Sequence, residues 1–219
     1  MLVGVVIICS VELRDELGYL GRVPKIPTRT RLASQAIGAA LAAYVGHIRI
    51  SERPLWGQMI YIPEWLFIAG FTIWALVCIN AVNRFDGVNG QASGMSTIGF
   101  ITIFLVIQFV VLPYYGHISP QVAETLFITK HLARILFVLS LVYTVIEFKP
   151  FGLLRDVGTM FFGFSLAYLS VVGGAKLGTL LVALSLVIMD AIRVGIHRIF
   201  FLKKSPMAGD YTHLHYRLL

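Results

Sequence analysis

Charge is scarce in this chain. Only 13% of its 219 residues are Asp, Glu, Lys or Arg, against about 25% in soluble domains. Together with 58% hydrophobic residues and a mean hydropathy of +0.82, that scarcity excludes an ordinary soluble globule. Acidic residues are scarcer than basic ones, 11 against 18, which leaves a formal net charge of +7. No stripe of alternating basic and aromatic residues accompanies the surplus, so nucleic acid is not the expected partner. Basic loops beside a membrane and an anionic ligand account for it instead. Cysteine is nearly absent. Cys9 and Cys78 lie in apolar runs with no C-x-x-C spacing and no His cluster nearby, so inert core thiols are expected. A G-x-S-x-G elbow is also lacking, which disfavours a soluble-type hydrolase. With no internal repeat and no low-complexity linker, residues 1–219 read as a single membrane domain.

What the chain does have is long apolar runs. Met1 to Ser10 is apolar but short, since a bilayer core of about 30 Å takes about 20 helical residues. It reads as the tail of a helix. Six further spans are predicted at 32–46, 63–80, 92–113, 131–147, 158–174 and 177–196. The expected fold is all-α, a polytopic transmembrane bundle of about six to seven spans. Alternation puts segments 11–31, 81–91, 148–157 and 197–219 on one side. Most Lys and Arg fall there, so the positive-inside rule makes that side cytoplasmic. The multi-pass protein is therefore expected in the cytoplasmic membrane, with its active-site loops facing the cytosol.

The polar residues follow the same parity. Asn80-Ala-Val-Asn83-Arg-Phe-Asp86-Gly87-Val-Asn89-Gly90 arrives where the apolar run Trp65–Ile79 ends. Polar groups at the edge of a membrane span are costly and usually mark a ligand or ion site. Asn80 and Asn83, three apart, share a helix face. The bland alternative is a helix C-terminus capped by Asn and Gly, which needs one such residue and not five. Asp156, followed by Gly158 and Thr159, stands at a helix N-terminus. A hard cation such as Mg²⁺ wants one or two carboxylates plus phosphate oxygens there, although Asp156 could instead simply cap the helix. Asp210-Tyr-Thr-His213-Leu-His215-Tyr-Arg217 supplies imidazoles and a guanidinium. Its i, i+2 His spacing suits phosphate contact better than zinc. Glu12, Asp15 and Glu16 complete the acidic groups on that side. Asp190 is expected to pair with Arg193.

Taken in order, these residues resemble the polyprenyl-phosphate N-acetylhexosamine-1-phosphate transferases. Asn80-x-x-Asn83-x-x-Asp86-Gly87-x-x-Gly90 is similar to that family's central Asn-Asn-Asp-Gly loop. Asp156-x-Gly158-Thr159 with Gly163 is similar to its GDSGS-type loop. Asp190 with Arg198 resembles the Asp and Arg of its last helix. Asp210-x-x-His213-x-His215-x-Arg217-Leu218 resembles its D-x-x-H-x-H-H-R-L signature, nearer to the undecaprenyl-phosphate N-acetylglucosamine branch. Arg31 and Gln35 match the basic residue and Gln that follow the family's acidic loop. Three positions depart from the pattern. Val11-Glu12-Leu-Arg-Asp15 stands where the family has an Asp pair and a third Asp, Arg155 replaces the usual Gly, and Tyr216 replaces a His. Family members carry further helices at both ends, so the chain is expected to be part of a longer transferase.

The resemblance implies transfer of a sugar-1-phosphate from a UDP-N-acetylhexosamine to a polyprenyl phosphate such as undecaprenyl phosphate, with release of UMP. It implies Mg²⁺, or Mn²⁺ in its place, held by Asp156 with Asn83. Asp86, Asp156, Glu12, Asp15 and His213 are the implied catalytic residues. Asn80, Asn83, Asn89, His215 and Arg217 are the implied substrate ligands. The lipid bilayer is a partner, and a homodimer stays open. Two rivals also stay open: a degenerate, non-catalytic relative, suggested by Val11, and a small transporter. Against the transporter, the polar groups gather at one face and no inverted repeat is visible.

Overall fold

In a computed structural model the described residues are 1–46, 52–55, 58–61, 63–117, 119–148 and 154–174, with Met189. They form helices α1 (Leu2–Tyr19), α2 (Thr28–Val45), α3 (Glu64–Arg84) and α4 (Gln91–Val106). A π-helical stretch, Ile107–Val111, carries α4 into a last turn, α5 (Leu112–Tyr115). Helices α6 (Pro120–Glu147) and α7 (Arg155–Val172) follow. Between α2 and α3 the backbone makes a small antiparallel hairpin, Glu52–Leu55 with Gln58–Tyr61. The class is the expected all-α membrane bundle with this one addition. Three described helices are long and apolar enough to cross a membrane: Glu64–Arg84, Gln91–Tyr114 and Pro120–Glu147. The expected span at 177–196 and the residues Asp190, His213, His215 and Arg217 lie outside the described residues.

Three boundaries differ from the sequence expectation. Helix α1 runs past Ser10 to Tyr19, because Glu12 to Leu17 are all able helix residues and nothing breaks the turn before Gly18. It closes in a Schellman motif: Gly21 takes φ +72°, Arg22 N donates to Leu17 O and Gly21 N donates to Gly18 O. Glu12 and Asp15 therefore stand on a helix and not in a loop. Helix α2 begins at Thr28, which puts Arg31 in its first turn. Helix α6 begins at Pro120, eleven residues before the predicted 131. Its start was written in the chain, with Ser119 as N-cap accepting from Val122 N and Pro120 at the first helical position. The charges of Glu124 and Lys130 hid it from a hydropathy argument.

Two glycine contacts set the geometry that follows. Gly4 and Gly38 bring α1 and α2 into backbone contact; a Cβ on Gly4 would lie 2.8 Å from Gly38 O. At about 1.5 Å per residue, Glu12 and Arg31 lie about two turns from that contact on each helix. Gly163 does the same for α7 and α3, where a Cβ would lie 2.7 Å from Ile79 Cα. Helices α1, α2, α3 and α7 form one cluster. Helices α4 and α6 pack on each other and reach the cluster through α7. Phe100, Ile103, Phe162, Phe164 and Leu166 fill the interior, with Phe100 edge-on to Phe162 at 5.8 Å. Trp65, Ile73, Phe109 and Ile135 face outward, as lipid contact requires.

Candidate active site

Three helices, α1, α2 and α7, meet at one guanidinium, and α3 reaches the same cluster through Asn83. Arg31 Nη2 lies 2.6 Å from Glu12 Oε2 and 2.6 Å from Asp156 Oδ2, and Arg31 Nη1 lies 3.3 Å from Asp15 Oδ2. Glu12 is fully buried and Asp15 nearly so, while the Asp156 side chain is 39% exposed. The cluster is thus closed on the α1 side and open at Asp156. Asp156 does not cap its helix: the N-cap residue is Leu154, with no side-chain cap. Its other oxygen, Oδ1, accepts from Asn83 Nδ2 at 3.0 Å, and the same nitrogen donates to Thr159 Oγ1 at 2.8 Å. The close α3–α7 crossing at Gly163 is what lets Asn83 reach that far.

Sequence spacing put Asn80 and Asn83 on one face, and both do point inward from α3, but to different partners. Asn80 Nδ2 donates to Gln35 Oε1 at 2.9 Å and to Leu76 O. Gln35 Nε2 in turn points to Met160 Sδ at 3.2 Å. Asn80 therefore joins α2 to α3, and Asn83 orients Asp156. Neither amide serves as a C-terminal cap, since α3 closes through backbone bonds at Phe85. Asn89 is exposed in the loop before α4, and Asp86 is half-buried there. Burial, then the carboxylates of Glu147 and Asp156, raise the pKa of Asp86 from 3.8 to about 6.

Two supporting carboxylates have no assigned role in the sequence pattern. Glu16 Oε1 accepts from Val157 N at 3.2 Å, so α1 supplies a partner to an otherwise orphaned amide of α7. Glu147, at the end of α6, is wholly buried against the start of α7. The sequence placed Glu16 with Glu12 and Asp15 among the acidic groups of one side, but gave it no partner. Glu147, alone at the end of an apolar run, carries the usual signal of a functional membrane carboxylate. Arg155 has φ +53°, the left-handed region that disfavours side chains. That is the position where the resembled family carries Gly.

The donor set suits a hard cation. Glu12, Asp15 and Asp156 each offer an oxygen, all within 4.8 Å of one another. Three carboxylates face one guanidinium, so negative charge stays uncompensated. Apart from the ion pair to Arg31, both buried Glu12 oxygens lack a hydrogen bond. A divalent ion with oxygen ligands would satisfy both needs.

Comparison with known proteins shows the family of the chain. The family model described as Glycosyl transferase family 4 matches residues 1–174. A relative from Bacillus subtilis (strain 168), a probable undecaprenyl-phosphate N-acetylglucosaminyl 1-phosphate transferase, is 28% identical over 226 residues. The match covers 99% of this chain and 57% of the relative, so the chain spans little more than half of that protein's length.

Proposed function

The chain belongs to glycosyl transferase family 4, and from that premise we propose that it transfers a sugar-1-phosphate, with N-acetylhexosamine as the sugar, from a UDP-sugar to a polyprenyl phosphate, releasing UMP. The observation that carries this reading is the meeting of Glu12, Asp15 and Asp156 from distant parts of the chain, with Arg31 among them and Asn83 beside them. Such a site answers the main obstacle of the reaction, which is bringing two phosphate-bearing anions together. Glu12, Asp15 and Asp156 would hold Mg²⁺ or Mn²⁺, which when bound would neutralise phosphate charge and polarise the phosphoryl oxygens. Asn83 keeps Asp156 turned toward the cluster. Arg31 can leave its carboxylates for a phosphate oxygen, for which its fork is suited. Asp86, Asn80 and Asn89 are assigned to the nucleotide side. His213, His215 and Arg217 are assigned to the diphosphate on their sequence pattern alone. The bias of Lys and Arg puts this mouth on the cytosolic face.

The test is a purified-protein assay with radiolabelled UDP-N-acetylglucosamine, undecaprenyl phosphate and Mg²⁺. Labelled lipid and stoichiometric UMP are expected. A folded, metal-binding protein that forms neither with any UDP-N-acetylhexosamine would overturn the reading.

A further inference from the structure

Glu147 has no place in the reaction described above, yet it is buried completely at the junction of three elements. Its Oε2 accepts from Ser93 Oγ in the first turn of α4. Its Oε1 accepts from Leu154 N at 2.9 Å, the N-cap residue of α7. Ser93 follows closely on the loop that bears Asp86, and Leu154 lies two residues before Asp156. The next residue, Phe148, adds a second contact with that loop: a Cβ on Gly90 would lie 3.1 Å from the Phe148 ring, and Gly90 takes φ +79°. One carboxylate thus ties the Asp86 loop to the Asp156 helix start. The tie sits beside Arg155, whose backbone is in the left-handed region and needs to be held there.

We propose that Glu147 is a positioning residue that fixes the start of α7, and with it Asp156, relative to the Asp86 loop through its two hydrogen bonds. It touches neither substrate nor ion. Its charge is close enough to raise the pKa of Asp86, which supports the closeness of the two. The consequence for catalysis rests on the transferase reading, but the positioning does not.

Two variants separate the bonds from the charge. In Glu147→Gln the amide oxygen can accept from Leu154 N and the amide nitrogen can donate to Ser93 Oγ. In Glu147→Ala both bonds are lost. Hydrogen exchange of the full chain in detergent is followed for the peptide over 154–158 and for that over 160–172. Glu147→Ala should exchange on the order of tenfold faster at 154–158 with little change at 160–172, and Glu147→Gln should stay near wild type. Turnover should follow: kcat falls on the order of tenfold or more in the Ala variant, KM changes little, and Gln rescues it. Unchanged exchange at 154–158 in the Ala variant overturns the proposal, as does equal acceleration in both peptides. So does a Gln variant that behaves as Ala does. The exchange result stands whether or not transfer is observed, so a failure of the transferase reading is told apart from a failure of this one.

Discussion

Among the described residues, two polar regions inside this apolar protein are built on opposite terms. Between α4 and α6 runs a seam of hydroxyls. Thr97 Oγ1 donates to Ser93 O and lies 2.9 Å from Ser140 Oγ, Ser140 Oγ donates to Phe137 O, and Thr144 Oγ1 donates to Ser140 O. Every group in it is neutral and finds a partner, mostly one turn back on its own helix, as hydroxyls in membrane helices do. At the ends of α1, α2, α3 and α7 the polar groups are charged and unbalanced. Apart from the ion pair of Glu12 Oε2 with Arg31 Nη2, the Glu12 oxygens and Arg31 Nε are buried without a hydrogen bond. Satisfied polarity holds helices together. Unsatisfied polarity costs stability and persists where something else is to be bound.

That contrast is sharpest at Asp156. Asp156→Asn should lower UMP release on the order of a hundredfold or more, because it removes one of the three carboxylates that would hold the divalent ion. The helical circular dichroism should be kept; normal turnover would move the site elsewhere. Arg31→Ala comes next. It leaves three carboxylates facing one another, which should cost about 3 kcal/mol in unfolding free energy. Added Mg²⁺ should raise the melting temperature of this variant more than that of wild type. Equal shifts would mean that the carboxylates do not share an ion.

Asp86 sits near both regions; burial acts on it first, then the charges of Glu147, which abuts the seam at Ser93, and of Asp156. Its folded pKa of about 6 lies above the ordinary 3.8. Between those values the folded state holds more of this proton than the unfolded state does. Stability from this group is therefore full below about 4 and falls as pH rises toward about 6. Thermal unfolding followed across that window should show a slope that Asp86→Asn lacks. The smallest effect belongs to the seam. Thr97→Val should cost about 1 kcal/mol and leave turnover within about twofold. A large loss of activity there would dissolve the distinction between the regions.

Much of this was legible in the chain. Scarce charge and long apolar runs give a membrane bundle directly, because hydrocarbon cannot satisfy ions or open backbone. Three-residue spacing put Asn80 and Asn83 on one face of α3, although the helix runs to Arg84, four residues past the predicted end at residue 80. Less legible was how those residues divide. Asn80 goes to Gln35 on α2 and Asn83 to Asp156 on α7, and spacing within one helix carries no record of its neighbours. Arg31 matched a family position, but its place between three acids was not written locally.

Composition and the order of motifs in the chain therefore point to the class of protein and the family, since those follow from solvation and local sequence pattern. Which carboxylate meets which cation depends on close helix crossings at Gly4, Gly38 and Gly163. A contact between residues 31 and 156 spans 125 positions. No local rule reaches that far, and only the packing of one helix on another can bring those two charges to 2.6 Å.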